Sequence, residues 1–128
     1  MPEKAEQKTI LVVEDEHETR ALIVLILEQA GYRVLEAADA EEGKRVWGSG
    51  SSIDLFMLDV WLPGASGVDL ASLIRKQDPS AKILFMSGLN PRPSMKELSL
   101  MNKEPFLSKP FGPASVLAMV RGVLSERR

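Results

Sequence analysis

Short, unbroken apolar runs punctuate this chain, and between them apolar residues recur at helical spacing. Three of the runs, Thr9–Val13, Ile53–Leu58 and Lys82–Met86, carry β-branched or aromatic residues and do not alternate with polar ones. That is the pattern of strands buried on both faces of a parallel sheet. Tyr32–Ala37 and Pro105–Leu107 are weaker runs of the same kind. The second is expected near an edge, because proline cannot donate to a ladder.

Helices fill the gaps. One is expected from His17 to Ala30, with Leu22, Ile23, Ile26 and Leu27 on its apolar side and Gly31 placed to end it in a left-handed turn. Asp39, with Glu42 three residues on, reads as the start of a second helix that Gly48 ends. A third runs from Val68 to Gln77 with Leu70, Leu73 and Ile74 inward, and stops before Asp78-Pro79. The last opens on Gly112-Pro113 and carries Val116, Val120, Val123 and Leu124 on one face. Gly88–Lys103, broken at its start by Pro91 and Pro93, is expected to contain a further helix. Strand and helix thus alternate, which implies an α/β fold: a parallel sheet with helices on both faces and right-handed crossovers.

Composition narrows the chemistry. The 128 residues suit one domain, residues 1–128, with a core over about 9–124 and a polar N-terminal tail over 1–8. No cysteine is present, so disulfides, thiolate metal sites and cysteine nucleophiles are excluded. The one histidine, His17, makes a multi-histidine metal site impossible. A formal charge of −2 lacks the basic footprint of a nucleic-acid binder. No apolar stretch approaches membrane-span length and the first residues form no signal-peptide core, so no membrane contact and a cytoplasmic location are expected.

In an open parallel sheet, ligands bind beyond the carboxyl ends of the strands. Here those ends carry Glu14-Asp15-Glu16, Asp59, Ser87 and Lys109. Acids before a helix favour its dipole, so the first three alone have an ordinary capping explanation. Asp59 beside them does not. Two unit charges about 5 Å apart repel by roughly 3 kcal/mol at an effective dielectric near 20. Such a cluster calls for a cation, and carboxylate oxygens without nitrogen or sulfur donors point to Mg²⁺ or a similar hard ion such as Mn²⁺.

Val13-Glu14-Asp15-Glu16, Asp59-Val60-Trp61-Leu62-Pro63 with Gly67, Ser87-Gly88, and Lys109-Pro110-Phe111, in this order, resemble the response-regulator receiver domain from about Thr9 to Leu124. The resemblance implies a doubly wound, flavodoxin-like (βα)5 fold with a five-stranded parallel sheet in the order 2-1-3-4-5. It implies that Asp59 accepts a phosphoryl group from a histidine on a sensor kinase or histidine phosphotransfer protein, in a Mg²⁺-dependent two-component reaction. Glu14, Asp15, Asp59 and the backbone carbonyl of Trp61 match the metal ligands. Lys109 matches the lysine that contacts the phosphoryl oxygens, Ser87 the switch hydroxyl, and Phe106 the aromatic that changes rotamer. Such a domain is a signalling module rather than an enzyme, although it promotes its own phosphorylation and dephosphorylation.

The chain departs from the commonest family pattern in places. Glu14 stands where aspartate is more usual. Trp61 and Leu89, two residues past Asp59 and Ser87, are bulky and apolar, which predicts slow self-dephosphorylation. The run Met101–Phe106 lacks the Gly-Ala-Asp-Asp-Tyr-like sequence of many receivers, leaving homodimerisation open, and Glu104–Phe111 is similar to receivers attached to hybrid sensor kinases. A haloacid-dehalogenase-type phosphatase would need an aspartate where Trp61 stands, and acids after the first strand would repel a flavin phosphate. The remaining alternative is a degenerate receiver that acts as a phosphorylation-independent docking module. Kinase, stimulus and output are not encoded in these motifs, nor is the choice between a free-standing receiver and part of a longer protein.

Overall fold

A computed structural model describes residues 7–62, 65–87 and 104–126. Their elements run β1 Thr9–Val13, α1 His17–Gln29, β2 Arg33–Ala37, α2 Ala40–Trp47 and β3 Leu55–Asp59. A two-residue antiparallel ribbon follows, β4 Trp61–Leu62 with β5 Ala65–Ser66. Then come α3 Gly67–Gln77, β6 Ile83–Ser87, β7 Phe106–Ser108 and α4 Pro113–Ser125. The large sheet is parallel, in the order β2-β1-β3-β6-β7. With the ribbon set aside, that is the expected 2-1-3-4-5 order. The helix expected within Gly88–Lys103 lies outside the described residues.

The unbroken apolar runs have a simple cause: each strand buries both faces. Leu11, Val13, Phe56, Leu58 and Phe85 point to one side and pack with Val68, Leu70 and Ile74 of α3. Ile10, Val12, Met57, Leu84 and Met86 point to the other and pack with Ile23 and Leu27 of α1 and Val116 and Val120 of α4. Successive residues alternating between two cores is the period-two geometry of a strand. β7 is short, edge-placed and reads exposed-buried-exposed, with only Leu107 inward.

Local signals act as expected at most boundaries. Asp39 caps α2 by accepting from the Glu42 N–H at 2.8 Å, and Glu42 reaches back to the Ala38 N–H at 2.7 Å. Gly31 adopts φ +100° after α1, and the Tyr32 N–H closes the turn on the Leu27 carbonyl. Two details differ from expectation. Leu22 stays 45% exposed, because α1 contacts the sheet through Ile23, Ile26 and Leu27 only. β3 and β6 begin and end later than their apolar runs, so Asp59 and Ser87 lie inside the sheet rather than beyond it.

Candidate functional site

The polar residues of the site are held where the strands end. Asp59 is the last residue of β3, in register with Met86 of β6, and is buried. Glu14 follows β1, donates its N–H to the Ala37 carbonyl at 3.0 Å, and is fully buried. Asp15 follows and is exposed. Lys109 follows β7 and donates its N–H to the Ser87 carbonyl at 2.7 Å. Its peptide bond to Pro110 is cis.

These placements bring carboxylate oxygens of Glu14, Asp15 and Asp59 within 4.8 Å of one another. Lys109 Nζ stands between two of them, 2.8 Å from Glu14 Oε1 and 2.7 Å from Asp59 Oδ2. The Trp61 N–H donates to Asp59 Oδ1 at 2.9 Å, and the Glu16 N–H to Glu14 Oε2 at 3.1 Å. Two of the three acids therefore share one lysine. Burial pushes the Glu14 carboxyl up to about 7, Lys109 pulls it back, and the Asp59 charge adds to the rise. Burial alone would lower Lys109, but Asp59 and Glu14 outweigh it and hold the ammonium above its ordinary value. The cluster is thus under-neutralised and oxygen-only, a donor set that can hold a hard divalent cation.

Ser87 is buried at the end of β6, on the strand next to Asp59. Phe106, at the start of β7, is 36% exposed and is not a core aromatic. The Trp61 ring is half-buried and packs against the core shared with α3, and its indole N–H is buried without an acceptor among the described residues. Leu89, the other residue expected to slow dephosphorylation, lies outside the described residues.

Gly67 emerges as a residue that shapes the site. A Cβ there would stand 1.9 Å from the Asp59 carbonyl oxygen, while the Gly67 N–H donates to the Val60 carbonyl at 2.8 Å. The start of α3 lies directly against the backbone that carries Asp59, and only glycine permits that approach. The glycine belongs to the motif after Asp59, but its contact with the Asp59 backbone is not deducible from spacing.

Residues 10–121 match the family described as "Response regulator receiver domain". This chain belongs to the response-regulator receiver family. Among curated relatives, it is 31% identical over 119 residues to the phosphate regulon transcriptional regulatory protein PhoB of Pseudomonas aeruginosa, covering 91% of this chain and 52% of that protein. It is 35% identical over 118 residues to the aerobic respiration control protein ArcA of Escherichia coli, covering 91% and 48%. The chain therefore spans about half the length of the curated relatives it matches. Among solved structures, a response regulator receiver protein from Sinorhizobium medicae superposes with a TM-score of 0.84 at 25% identity, covering 98% of this chain and all of that one (100%). The response regulator TrrA of Thermotoga maritima, solved in complex with Mg²⁺–BeF, gives 0.79 at 31% identity, covering 91% and 99%. Phosphoacceptance in two-component signalling is the function of this family, and receivers are signalling domains that take phosphate from histidine kinases. Among the described residues, no helix of this receiver is long and apolar enough to cross a membrane.

Proposed function

We propose that residues 9–124 act as one receiver domain in which Asp59 takes a phosphoryl group from a partner histidine, in the cytoplasm. The observation that carries this reading is the Lys109 ammonium between the buried carboxylates of Glu14 and Asp59, with exposed Asp15 completing the cluster. A docking module that never took phosphate would have no need to bury two acids on one lysine.

An Asp59 oxygen attacks the phosphorus of the phosphohistidine, the P–N bond breaks, and the imidazole nitrogen leaves with the electron pair and takes up a proton. Glu14, Asp15, Asp59 and the Trp61 carbonyl would hold Mg²⁺, which supplies charge neutralisation for the transferring phosphoryl group. The lack of nitrogen and sulfur donors fits Mg²⁺ or Mn²⁺ rather than zinc. Lys109 gives up its bond to Asp59 and follows the new charge onto the phosphoryl oxygens. The buried Ser87 hydroxyl donates to another of those oxygens.

Hydrogen bonds to charged groups contribute about 1.5–3 kcal/mol each. Two of them supply about 3–6 kcal/mol, against roughly 5.5 kcal/mol for near-complete inversion of a two-state equilibrium. In this reading Ser87 moves toward the phosphoryl group, and the half-exposed Phe106 swings into the space it leaves, reshaping the surface around β7 and α4. The indole N–H is the only side-chain donor of Trp61 and is buried, which leaves Asp59 without a side chain there to orient a hydrolytic water, so hydrolysis is slow. These steps are the same whether the receiver serves a transcriptional regulator, as PhoB is, or a hybrid kinase, as the Glu104–Phe111 run resembles.

Incubation with Mg²⁺ and acetyl phosphate, followed by intact mass, tests the reading. One phosphoryl group should add to the wild-type chain and none to Asp59→Ala, and the adduct should decay faster in Trp61→Asn. Equal uptake by Asp59→Ala would overturn the assignment of the acceptor.

A further inference from the structure

Arg20, in the first turn of α1, has three side-chain contacts that the phosphoryl chemistry does not use. Its Nη1 donates to the Glu14 carbonyl oxygen at 2.8 Å, its Nε lies 3.2 Å from Glu36 Oε1 on β2, and its Nη2 is 3.4 Å from the His17 ring. The side chain is only 15% exposed, although Glu36 is 49% exposed. Its own N–H donates to the Glu16 carbonyl at 2.9 Å, so Arg20 grips the β1–α1 connection at both ends.

The contact with the Glu14 carbonyl matters because of where that oxygen sits. Residue 14 is where the chain leaves the sheet and has to send one acid inward and the next outward: Glu14 is fully buried and Asp15 exposed. The Glu14 N–H is held by β2, through the Ala37 carbonyl at 3.0 Å. The Glu14 carbonyl belongs to the peptide plane joining the two acids, and Arg20 is what holds it. Orienting that plane decides whether the Asp15 carboxylate converges on Glu14 and Asp59 or turns to solvent. The Glu36 carboxylate in turn fixes the planar guanidinium. A lysine could supply the charge, but a single ammonium cannot reproduce a fork spanning a carbonyl and a carboxylate.

We propose that Arg20 is a positioning residue for the acid pair: by holding the Glu14–Asp15 peptide plane it sets the affinity of the cluster for a divalent cation. The proposal rests on the reading of Glu14, Asp15 and Asp59 as a cation site. Groups that orient metal ligands without touching the metal change affinity by about 10–100-fold when replaced.

Calorimetric titration with MgCl2, alongside thermal midpoints in chelator, tests it on the wild type, Arg20→Lys, Glu36→Gln and Asp15→Asn. Arg20→Lys is expected to melt near the wild type without metal and to bind Mg²⁺ about tenfold more weakly. Glu36→Gln, at an exposed position, should weaken binding in the same direction by less, and it serves as the deciding variant should Arg20→Lys not fold. Asp15→Asn should lose most of its affinity. Wild-type affinity in Arg20→Lys, or in Glu36→Gln where that decides, overturns the role of Arg20 while leaving the cation site standing. In Glu36→Gln, an affinity loss matched by a collapse of the metal-free midpoint also overturns it, as it would mark an ordinary structural contact. Wild-type affinity in Asp15→Asn removes the cation reading itself, and the proposal with it.

Discussion

Two ionic clusters lie at opposite ends of the sheet, and they are built on opposite principles. At the end where the strands begin, Arg75 of α3 meets Glu104 at 2.6 Å and donates to the Pro79 carbonyl at 2.8 Å and to the Ala81 carbonyl. Here Arg75 faces an acid, and its other guanidinium donors are used on backbone that enters β6. At the end where the strands finish, Glu14 and Asp59 share Lys109, with Asp15 beside them. The first cluster is balanced and ties connections together. The second gathers three acids and one lysine, and burial, with the Asp59 charge adding to it, pushes the Glu14 carboxyl up to about 7 against the pull of Lys109. Balanced charge stabilises a fold; charge left unbalanced in a fixed geometry is capacity for a ligand.

The largest break in this comparison should come from Gly67→Ala. Its methyl group would collide with the Asp59 carbonyl, so the start of α3 or the end of β3 must move. A loss of about 3 kcal/mol, the upper range for forced overpacking, is expected in denaturant melts, with Mg²⁺ binding lost as well. The same substitution at Gly122 on α4, where a Cβ meets nothing within 4 Å, is the control and should be close to neutral.

Next comes pH. The Glu14 carboxyl titrates at about 7 in the fold against an ordinary value of 4.5. The native state therefore keeps a proton that the unfolded chain has released. Metal-free stability should fall as pH rises from about 4.5 to about 7 on this group's account, because the unfolded state binds fewer protons there. Cation binding has to displace that proton, so Mg²⁺ affinity should weaken by up to about tenfold for each pH unit below 7. Calorimetry across this range checks both, and Glu14→Gln should flatten both dependences. The smallest effect should come from the balanced end. Glu104→Gln is expected to cost about 1.5 kcal/mol in melts, the lower end of the scale of a charged hydrogen bond, with Mg²⁺ affinity unchanged.

Much of this molecule is legible in its sequence because a doubly covered parallel sheet writes itself as unbroken apolar runs. Thr9–Val13 is recovered residue for residue, and the chemistry sits at the strand ends because the sheet leaves side chains free of packing only there. What is not legible depends on the direction a side chain takes. Leu22 belongs to the apolar periodicity of α1 yet stays exposed, while Ile23, Ile26 and Leu27 are buried. Trp61 stands two residues past the acceptor, yet its ring packs against the core shared with α3. Phe106 is half-exposed, as one side of an edge strand allows, and its spacing alone does not tell which side it takes. Arg20 reads as one more polar residue on a helix, and only the turn of the chain at Glu14 gives it a carbonyl to hold.

The central claim is that the three-acid cluster awaits a divalent cation. Thermal melts of the wild-type chain in chelator and in excess MgCl2, with Asp15→Asn alongside, test it most directly. A ligand at 100 times its dissociation constant adds about 2.7 kcal/mol of stability, so the wild-type midpoint should rise by several degrees. Asp15→Asn should show little or none of that rise. Superposable wild-type melts with and without Mg²⁺ would contradict the account.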